Sequence, residues 1–149
     1  MKKIFSVSSI AFGLCMLCMM ACQKKDKSPV PTDGSMPADF ASFYEKFHAD
    51  TAFQMAHISF PLKGVPMHAD SATIVEDDFY FQKPLWILHR PMVLNDTFYT
   101  QQFFKLTDEM VLERIIQKDV NFGMERRFVK LNNEWTLIHY TAMNPLAKK

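Results

Sequence analysis

The sequence predicts an α+β domain in which N-terminal helices pack on one face of a curved, mainly antiparallel sheet. An aromatic stripe at helical spacing follows residue 38, whereas the C-terminal third contains three runs with the residue content of β-strands. Both tryptophans and all four tyrosines lie beyond residue 38, and such an aromatic load suits a sheet with a thick apolar face.

Two helices are predicted at the start of this domain. Asp39 is a candidate N-cap, and the residues after it place aromatic side chains at positions i, i+3, i+4 and i+7 of one stripe. These aromatic residues are Phe40, Phe43, Tyr44 and Phe47. Asp50 is a second candidate cap, and Phe53, Ala56 and His57 continue the helical spacing beyond it.

The middle of the chain predicts shorter elements. Ile58, Phe60 and Leu62 alternate as in a strand, which the pair Lys63-Gly64 is expected to end as a turn. Short β-prone runs follow at 72–75 and 79–81, and a proline can open a short helix at 84–88. The stretch 92–107 is ambiguous.

Three strands are predicted near the C-terminus, at residues 110–117, 122–131 and 135–143. The pair Asn132-Asn133 separates the last two strands. We expect a two-residue hairpin turn there, because asparagine tolerates the positive φ that such turns require.

The first 21 residues have the pattern of a secretory signal peptide. Lys2 and Lys3 precede a run from Ile4 to Ala21 that is uncharged and mostly apolar. The run is barely long enough to span a bilayer, so a retained transmembrane anchor is the alternative. The tetrapeptide Met19-Met20-Ala21-Cys22 resembles a bacterial lipobox, which implies cleavage before Cys22 and attachment of lipid to its sulfur.

Cys22 is therefore expected to begin a mature lipoprotein that is anchored in a membrane by several acyl chains of the palmitate kind. The three cysteines of the chain are residues 15, 18 and 22, so cleavage leaves no partner for a disulfide. Residues 22–37 contain three prolines and one strongly apolar residue, Val30, which predicts a flexible tether.

The remaining residues, 38–149, are long enough for a single domain with one core. This part carries 14 acidic and 12 basic residues, a net charge of −2. Such a balance provides no positive field for nucleic acid, so we expect no nucleic-acid partner.

Two segments and one tryptophan of the domain resemble a known family. DFASFYEKFHADTAFQMAHISFPLKG, Trp86 and MERRFVKLNNEWTLIHY are similar to uncharacterised lipoprotein domains of Bacteroidota-type bacteria in the nuclear-transport-factor-2-like, cystatin-like superfamily. The resemblance covers most of residues 38–143 and implies a cone-like fold whose sheet wraps around a pocket. It implies no activity, because this superfamily includes enzymes and binding proteins alike.

The predicted hairpin brings candidate pocket residues onto one face of the sheet. With a two-residue loop, Phe128 faces Leu137 and Arg126 faces His139, in an apolar row that also includes Trp135. Arg114 joins them if the preceding loop keeps the register. The residues of opposite parity are expected to form solvated pairs on the outer surface; these are Glu113, Glu125 and Arg127.

Such a row suits a carboxylate or phosphate group on an apolar ligand, because the arginine fork matches these groups. In the alternative, Arg126 and His139 lie at the mouth of the cone or are neutralised by an acid from the helices. Trp86 and Trp135 are candidate platforms for a ligand, or part of the core.

Other chemistry has little support in the sequence. The five histidines form no H-x-H or HExxH motif and no nucleophile motif is present, so no metal or cofactor is expected. Candidates for acid/base work by residue type alone are Asp96, Tyr99 and Tyr140. Ser71 and Thr51 lie in D-S-A and D-T-A tripeptides that resemble the O-glycosylation site of secreted Bacteroidota proteins.

The sequence thus predicts a lipid-anchored module of the bacterial cell envelope that binds a small or peptidic ligand without chemistry. Three lysines follow Cys22 where related surface-exported lipoproteins carry an acidic run, which favours the periplasmic face. An isomerase or hydrolase on the same fold and a structural envelope component are the alternatives.

Overall fold

The structure, a computed structural model, describes residues 28–31, 33–69, 79–90 and 98–146. In these ranges two helices precede the strands, α1 (Phe40–Ala49) and α2 (Thr51–Ala56). The strands in the described parts are β1 (Ile58–Val65), β2 (Tyr80–Phe81), β3 (Tyr99–Thr107), β4 (Met110–Gln117), β5 (Phe122–Leu131) and β6 (Glu134–Pro145). A short 3-10 helix, Lys83–Leu85, follows β2.

The strands form one sheet in the order β2-β1-β6-β5-β4-β3. Neighbouring strands are antiparallel except β1 and β6, which run parallel. The predicted α+β class with a mainly antiparallel sheet is confirmed. Residues 72–75 and 92–97, for which a β-prone run and an ambiguous stretch were predicted, lie outside the described residues.

The aromatic stripe of α1 packs on the sheet, as its spacing predicts. Its members Phe40 and Phe47 are fully buried. Phe40 meets Trp135 edge-on with ring centroids 5.0 Å apart, and Phe47 meets Phe128 in the same way at 5.5 Å. These T-shaped contacts are favourable pairings for aromatic rings and fix the position of α1 above β5 and β6.

The two predicted helix caps differ. The Asp50 carboxylate accepts a hydrogen bond from the Phe53 backbone N–H over 2.9 Å and caps α2, as predicted. Asp39 stands at the N-cap position of α1 but makes no capping hydrogen bond. Its carboxylate instead pairs with the Lys130 ammonium group of β5 over 2.6 Å. The lysine thus takes the place of the helix N–H groups as the partner of this carboxylate.

The predicted turn at Lys63-Gly64 is wrong, because β1 continues through both residues to Val65. Gly64 pairs with Tyr140 of the parallel strand β6. A side chain at position 64 would collide with the Tyr140 carbonyl oxygen, so the glycine serves close approach of two strands rather than a turn.

The hairpin at Asn132-Asn133 is confirmed. Both residues have positive φ, 51° and 67°, and Leu131 pairs with Glu134 across the two-residue loop. The strands β4 and β5 have the predicted bounds, whereas β6 is longer by one residue at its start and two at its end.

The core extends upstream of the helices. Val30 is 2% exposed and belongs to the same hydrophobic cluster as Phe40 and Leu62, with Met36 packed against it. The chain therefore contacts the domain eight residues before residue 38. No helix in the described parts has the length and apolar character that crossing a bilayer requires.

Candidate functional site

Arg126 of β5 is the centre of a buried polar network on the inner face of the sheet. It is 2% exposed and lies directly opposite Glu113 of β4. Guanidinium Nη2 donates to carboxylate Oε1 over 2.7 Å, and Nε lies 2.7 Å from Oε2. The second contact is ionic, since within the described residues neither Nε nor Oε2 has a well-aligned hydrogen-bond partner.

Four further hydrogen bonds converge on Oε1 and on the tyrosine beside it. The Tyr44 hydroxyl of α1 donates to Glu113 Oε1 over 2.7 Å. Gln101 Nε2 of β3 donates to the same oxygen over 2.6 Å and lies 2.9 Å from the Tyr44 oxygen. Arg126 Nη2 also reaches that oxygen, over 3.3 Å. One carboxylate therefore ties a helix to three strands.

His48 of α1 is held in its neutral form. Its Nε2 lies 2.7 Å from Arg126 Nη1, which can only donate, and its Nδ1 lies 2.9 Å from the Tyr44 backbone oxygen, which can only accept. The ring proton must therefore sit on Nδ1. Burial and then the Arg126 charge lower the pKa of His48 to about 4.

His89 brings a distant segment to the same cation. Its Nδ1 lies 3.3 Å from Arg126 Nη1. Burial and the charge of Arg126 hold the pKa of His89 far below the ordinary histidine value. Two neutral imidazoles thus accept from one guanidinium nitrogen.

The backbone at His89 is clamped by the side chain of Gln54 in α2. Gln54 Nε2 donates to the His89 carbonyl over 2.6 Å and to the Phe47 carbonyl over 2.8 Å, while Gln54 Oε1 accepts from the His89 N–H over 2.8 Å. Gln54 is 2% exposed. This buried amide fixes the segment around His89 against both helices.

The charges of the network balance. Burial is the largest influence on the pKa of Arg126 and would lower it, but Glu113, Tyr44 and Tyr140 together outweigh burial and the pKa is raised. Burial raises the pKa of Tyr44 far above the ordinary tyrosine value, so its hydroxyl keeps its proton. The network therefore consists of one ion pair surrounded by neutral hydrogen-bonding groups.

An aromatic cluster adjoins the network through His89. We define the aromatic cluster as the half-buried rings of Phe60, Phe81, Trp86, His89 and Tyr140. Ring centroids are 4.6 Å apart for Trp86 and His89, 4.7 Å for His89 and Tyr140, and 5.5 Å for Trp86 and Tyr140. Phe81 lies 5.2 Å from Tyr140 and 5.7 Å from Trp86. The cluster joins β1, β2 and β6 to the segment after the 3-10 helix.

The predicted partner of Arg126 is wrong, although Arg126 does point inward. The register of the hairpin holds as far as Phe128 and Leu137 and then shifts at a β-bulge that leaves Ile138 as the extra residue. Beyond it Arg126 faces Tyr140, and His139 faces Arg127. A one-residue shift moves every following side chain to the other face, so Tyr140 takes the place predicted for His139.

The predicted position of Arg114 is also wrong. The loop between β4 and β5 pairs Glu113 with Arg126 and Arg114 with Glu125, which reverses the parity that was assumed. Glu113 is thus the buried acid and not a surface group, and Arg114 forms an ion pair with Glu125 on the outer face. The acid that neutralises Arg126 comes from a strand and not from the helices.

The remaining candidate residues are dispersed. Trp135 is 3% exposed in the apolar core, whereas Trp86 is half-buried in the aromatic cluster. Tyr99 begins β3, and Thr51 is exposed at the start of α2. Cys22, Ser71 and Asp96 lie outside the described residues. In the described ranges no three potential ligand side chains gather as a metal site would require.

Strand parity gives no indication of four residues of the network: Tyr44, His48, His89 and Gln101. Tyr44 was predicted only as part of the apolar stripe, and His48 adjoins that stripe at Phe47. A polar residue at the edge of an aromatic helical face is a usable signal, because burial there requires a partner. His89 and Gln101 carry no such local signal.

A family model and two solved structures are similar to this chain. Residues 38–139, well over half of the chain, match a protein-family model whose name states no activity. No curated protein matches the chain. A cystatin-like protein from Bacteroides caccae is similar at 18% identity and a TM-score of 0.50, over 69% of this chain and 74% of that one. An NTF2-like protein from Bacteroides fragilis matches at 15% identity and a TM-score of 0.48, over 72% of this chain and 47% of that one.

Proposed function

We propose that this protein is a cell-envelope lipoprotein whose domain binds a small or peptidic ligand and catalyses no reaction. The chain belongs to the nuclear-transport-factor-2-like, cystatin-like family. The aromatic cluster is the proposed contact surface. Its rings remain half-buried, in contrast to the fully buried phenylalanines of α1, and aromatic rings with a polar edge are favoured at binding sites.

The state of the ionisable groups supports binding over catalysis. A general acid or base needs a proton that it can exchange near neutral pH. Arg126 and Glu113 neutralise one another, His48 has both ring nitrogens engaged, and the Tyr44 hydroxyl donates to the carboxylate. These groups hold the wall of the site in place beneath the aromatic cluster.

The two tryptophans provide a test of the contact surface. Trp86 lies in the aromatic cluster and Trp135 lies in the closed core, so Trp86→Phe and Trp135→Phe each leave one fluorophore. A library of aromatic fragments and acetylated tripeptides is screened by NMR, and hits are titrated by fluorescence. We expect hits to change the emission of Trp135→Phe and to leave the emission of Trp86→Phe unchanged.

Two other results would contradict the proposal. Turnover of a hit, with a product seen by mass spectrometry, favours an isomerase or hydrolase on this fold. Absence of hits in the screen, together with capture of another envelope protein through the outer face of the sheet, favours a structural component.

The proposed anchor would hold this surface near a membrane. Cys22 lies eight residues before Val30, which is buried in the core. Eight residues span at most about 29 Å when fully extended. A lipidated Cys22 would therefore keep the domain within about one domain diameter of the bilayer, and the ligand would be met there.

Fractionation of cells tests the anchor. We expect the native protein to remain with the membrane, to lack residues 1–21 and to carry added acyl mass. Cys22→Ala should abolish the acyl mass and release the protein, while the matched change Cys18→Ala should do neither. Protease added to intact cells should spare a domain that faces the periplasm. Membrane retention of Cys22→Ala would favour a transmembrane anchor instead.

A further inference from the structure

We infer that the aromatic cluster recognises a carboxylate carried on an aromatic or aliphatic body, an inference that rests on the proposed binding function. Three rings of the cluster bear a polar hydrogen: the indole of Trp86, the imidazole of His89 and the phenol of Tyr140. Their centroids lie between 4.6 Å and 5.5 Å from one another. The three rings are therefore mutual neighbours, and each carries one donor.

The position of the His89 proton follows from its neighbour. Arg126 has five N–H donors and no acceptor, so the nitrogen that faces it, Nδ1 at 3.3 Å, must accept. A neutral imidazole then carries its proton on Nε2. The geometry makes Nε2 of His89 a donor on the side of the ring away from Arg126.

The other two rings are also donors. Trp86 Nε1 can only donate, and it is buried without a hydrogen-bond partner among the described residues. Burial raises the pKa of Tyr140, so its hydroxyl keeps a proton to donate at neutral pH. A buried donor without a partner is costly, and a ligand oxygen at this place would relieve that cost.

The acid of the neighbouring network is already engaged. Glu113 Oε1 accepts from Tyr44, Gln101 and Arg126, and Oε2 lies against Arg126 Nε. The five rings of the cluster include no carboxylate or amide oxygen. Three donors, with no acid among the described rings of the cluster, favour an anionic oxygen ligand, because hydrogen bonds to a charged acceptor are the stronger ones.

The ring faces determine the rest of the ligand. Phe60 and Phe81 contact Trp86 at centroid distances of 5.7 Å each and contribute no polar atom. They favour an aromatic or aliphatic body attached to the carboxylate. A free organic acid and the C-terminus of a peptide share this chemistry, and the experiment separates these two sources.

The test uses 3-phenylpropanoate and its uncharged amide as probes of the full mature chain, followed by NMR at pH 7. We expect the acid to shift the resonances of residues 81, 86, 89 and 140 and to bind at least several-fold more tightly than the amide. Tyr140→Phe removes only the hydroxyl and should weaken binding of the acid by about three- to tenfold. Tyr80→Phe, a matched change at an exposed tyrosine of β2, should leave it unchanged.

The source of the carboxylate is decided by N-acetylglycylphenylalanine and its C-terminal amide. Tight binding of this peptide acid indicates a peptide C-terminus, while binding of phenylpropanoate alone indicates a free organic acid. Equal affinity of acid and amide, with Tyr140→Phe unchanged, would overturn the carboxylate inference and leave the binding function standing. Failure of every probe to shift the cluster, while hits from the fragment library do so, would overturn it as well.

Discussion

Two ion pairs join β4 to β5 at adjacent positions and lie on opposite faces of the sheet. Glu113 pairs with Arg126 on the inner face, where the side chains are 1% and 3% exposed. Arg114 pairs with Glu125 on the outer face, where they are 31% and 24% exposed. The residue types and strands are the same, and only the surroundings differ.

The difference shows how burial changes the role of an ion pair. The inner pair has lost its water and has replaced it with Tyr44, Gln101 and His48. In such a site the desolvation cost is large, and the pair holds only while both partners and their hydrogen bonds are present. The outer pair retains solvent, so the loss of one partner leaves a charge that water can stabilise.

The largest expected effect follows from breaking the inner pair. Arg126→Ala should lower the free energy of unfolding by roughly 3–5 kcal/mol, because it leaves the buried Glu113 carboxylate without its cation. Denaturant unfolding monitored by circular dichroism measures the loss. The double variant Glu113→Leu with Arg126→Met should recover much of it, since it removes both charges. A loss under 1 kcal/mol for Arg126→Ala would mean that the inner pair behaves like a surface pair.

A smaller effect is expected from pH, through the histidines that accept from Arg126. The unfolded chain protonates His48 near pH 6.5, whereas the folded chain resists protonation until about pH 4. The unfolded state thus binds more protons in this window, and stability falls as pH decreases through it. Between pH 7 and pH 5 the loss attributable to His48 is roughly 2 kcal/mol.

His48→Gln is the variant that checks this contribution. Gln preserves an acceptor for Arg126 but cannot be protonated, so the loss of stability between pH 7 and pH 5 should become smaller. Part of the loss should persist, because the pKa of His89 is also held low beside Arg126. His68→Gln, at an exposed histidine, should retain the full loss. Identical pH profiles for His48→Gln and the native chain would contradict the assignment.

The sequence predicted those parts of the inner face that depend on local pattern. Helical spacing identified the stripe of α1, and Asn132-Asn133 identified the hairpin and its register as far as Phe128 and Leu137. The inward position of Arg126 followed from that register. Each of these conclusions depends on neighbours within a few residues, where periodicity and turn chemistry act directly.

The residues that form the polar network could not be predicted from local pattern. The loop before β5 and the bulge at Ile138 each shift parity by one, and a shift of one residue exchanges the faces of all following side chains. As a result, the neighbours of Arg126 are Glu113 instead of the predicted Arg114, and Tyr140 instead of the predicted His139. His89 and Gln101 reach the network through tertiary packing, for which the sequence offers no spacing rule.

The smallest expected effect concerns the outer pair and completes the comparison. Arg114→Ala should cost about 0.2–1 kcal/mol, because the pair is partly solvated and salt screens it. The cost should shrink further between 0.05 M and 1 M sodium chloride, whereas the cost of Arg126→Ala should change little, since mobile ions do not enter a buried site. Unfolding curves of both variants at the two salt concentrations measure this contrast. If the two costs respond equally to salt, the difference in burial does not govern the two pairs, and their separate roles on the inner and outer faces would have to be abandoned.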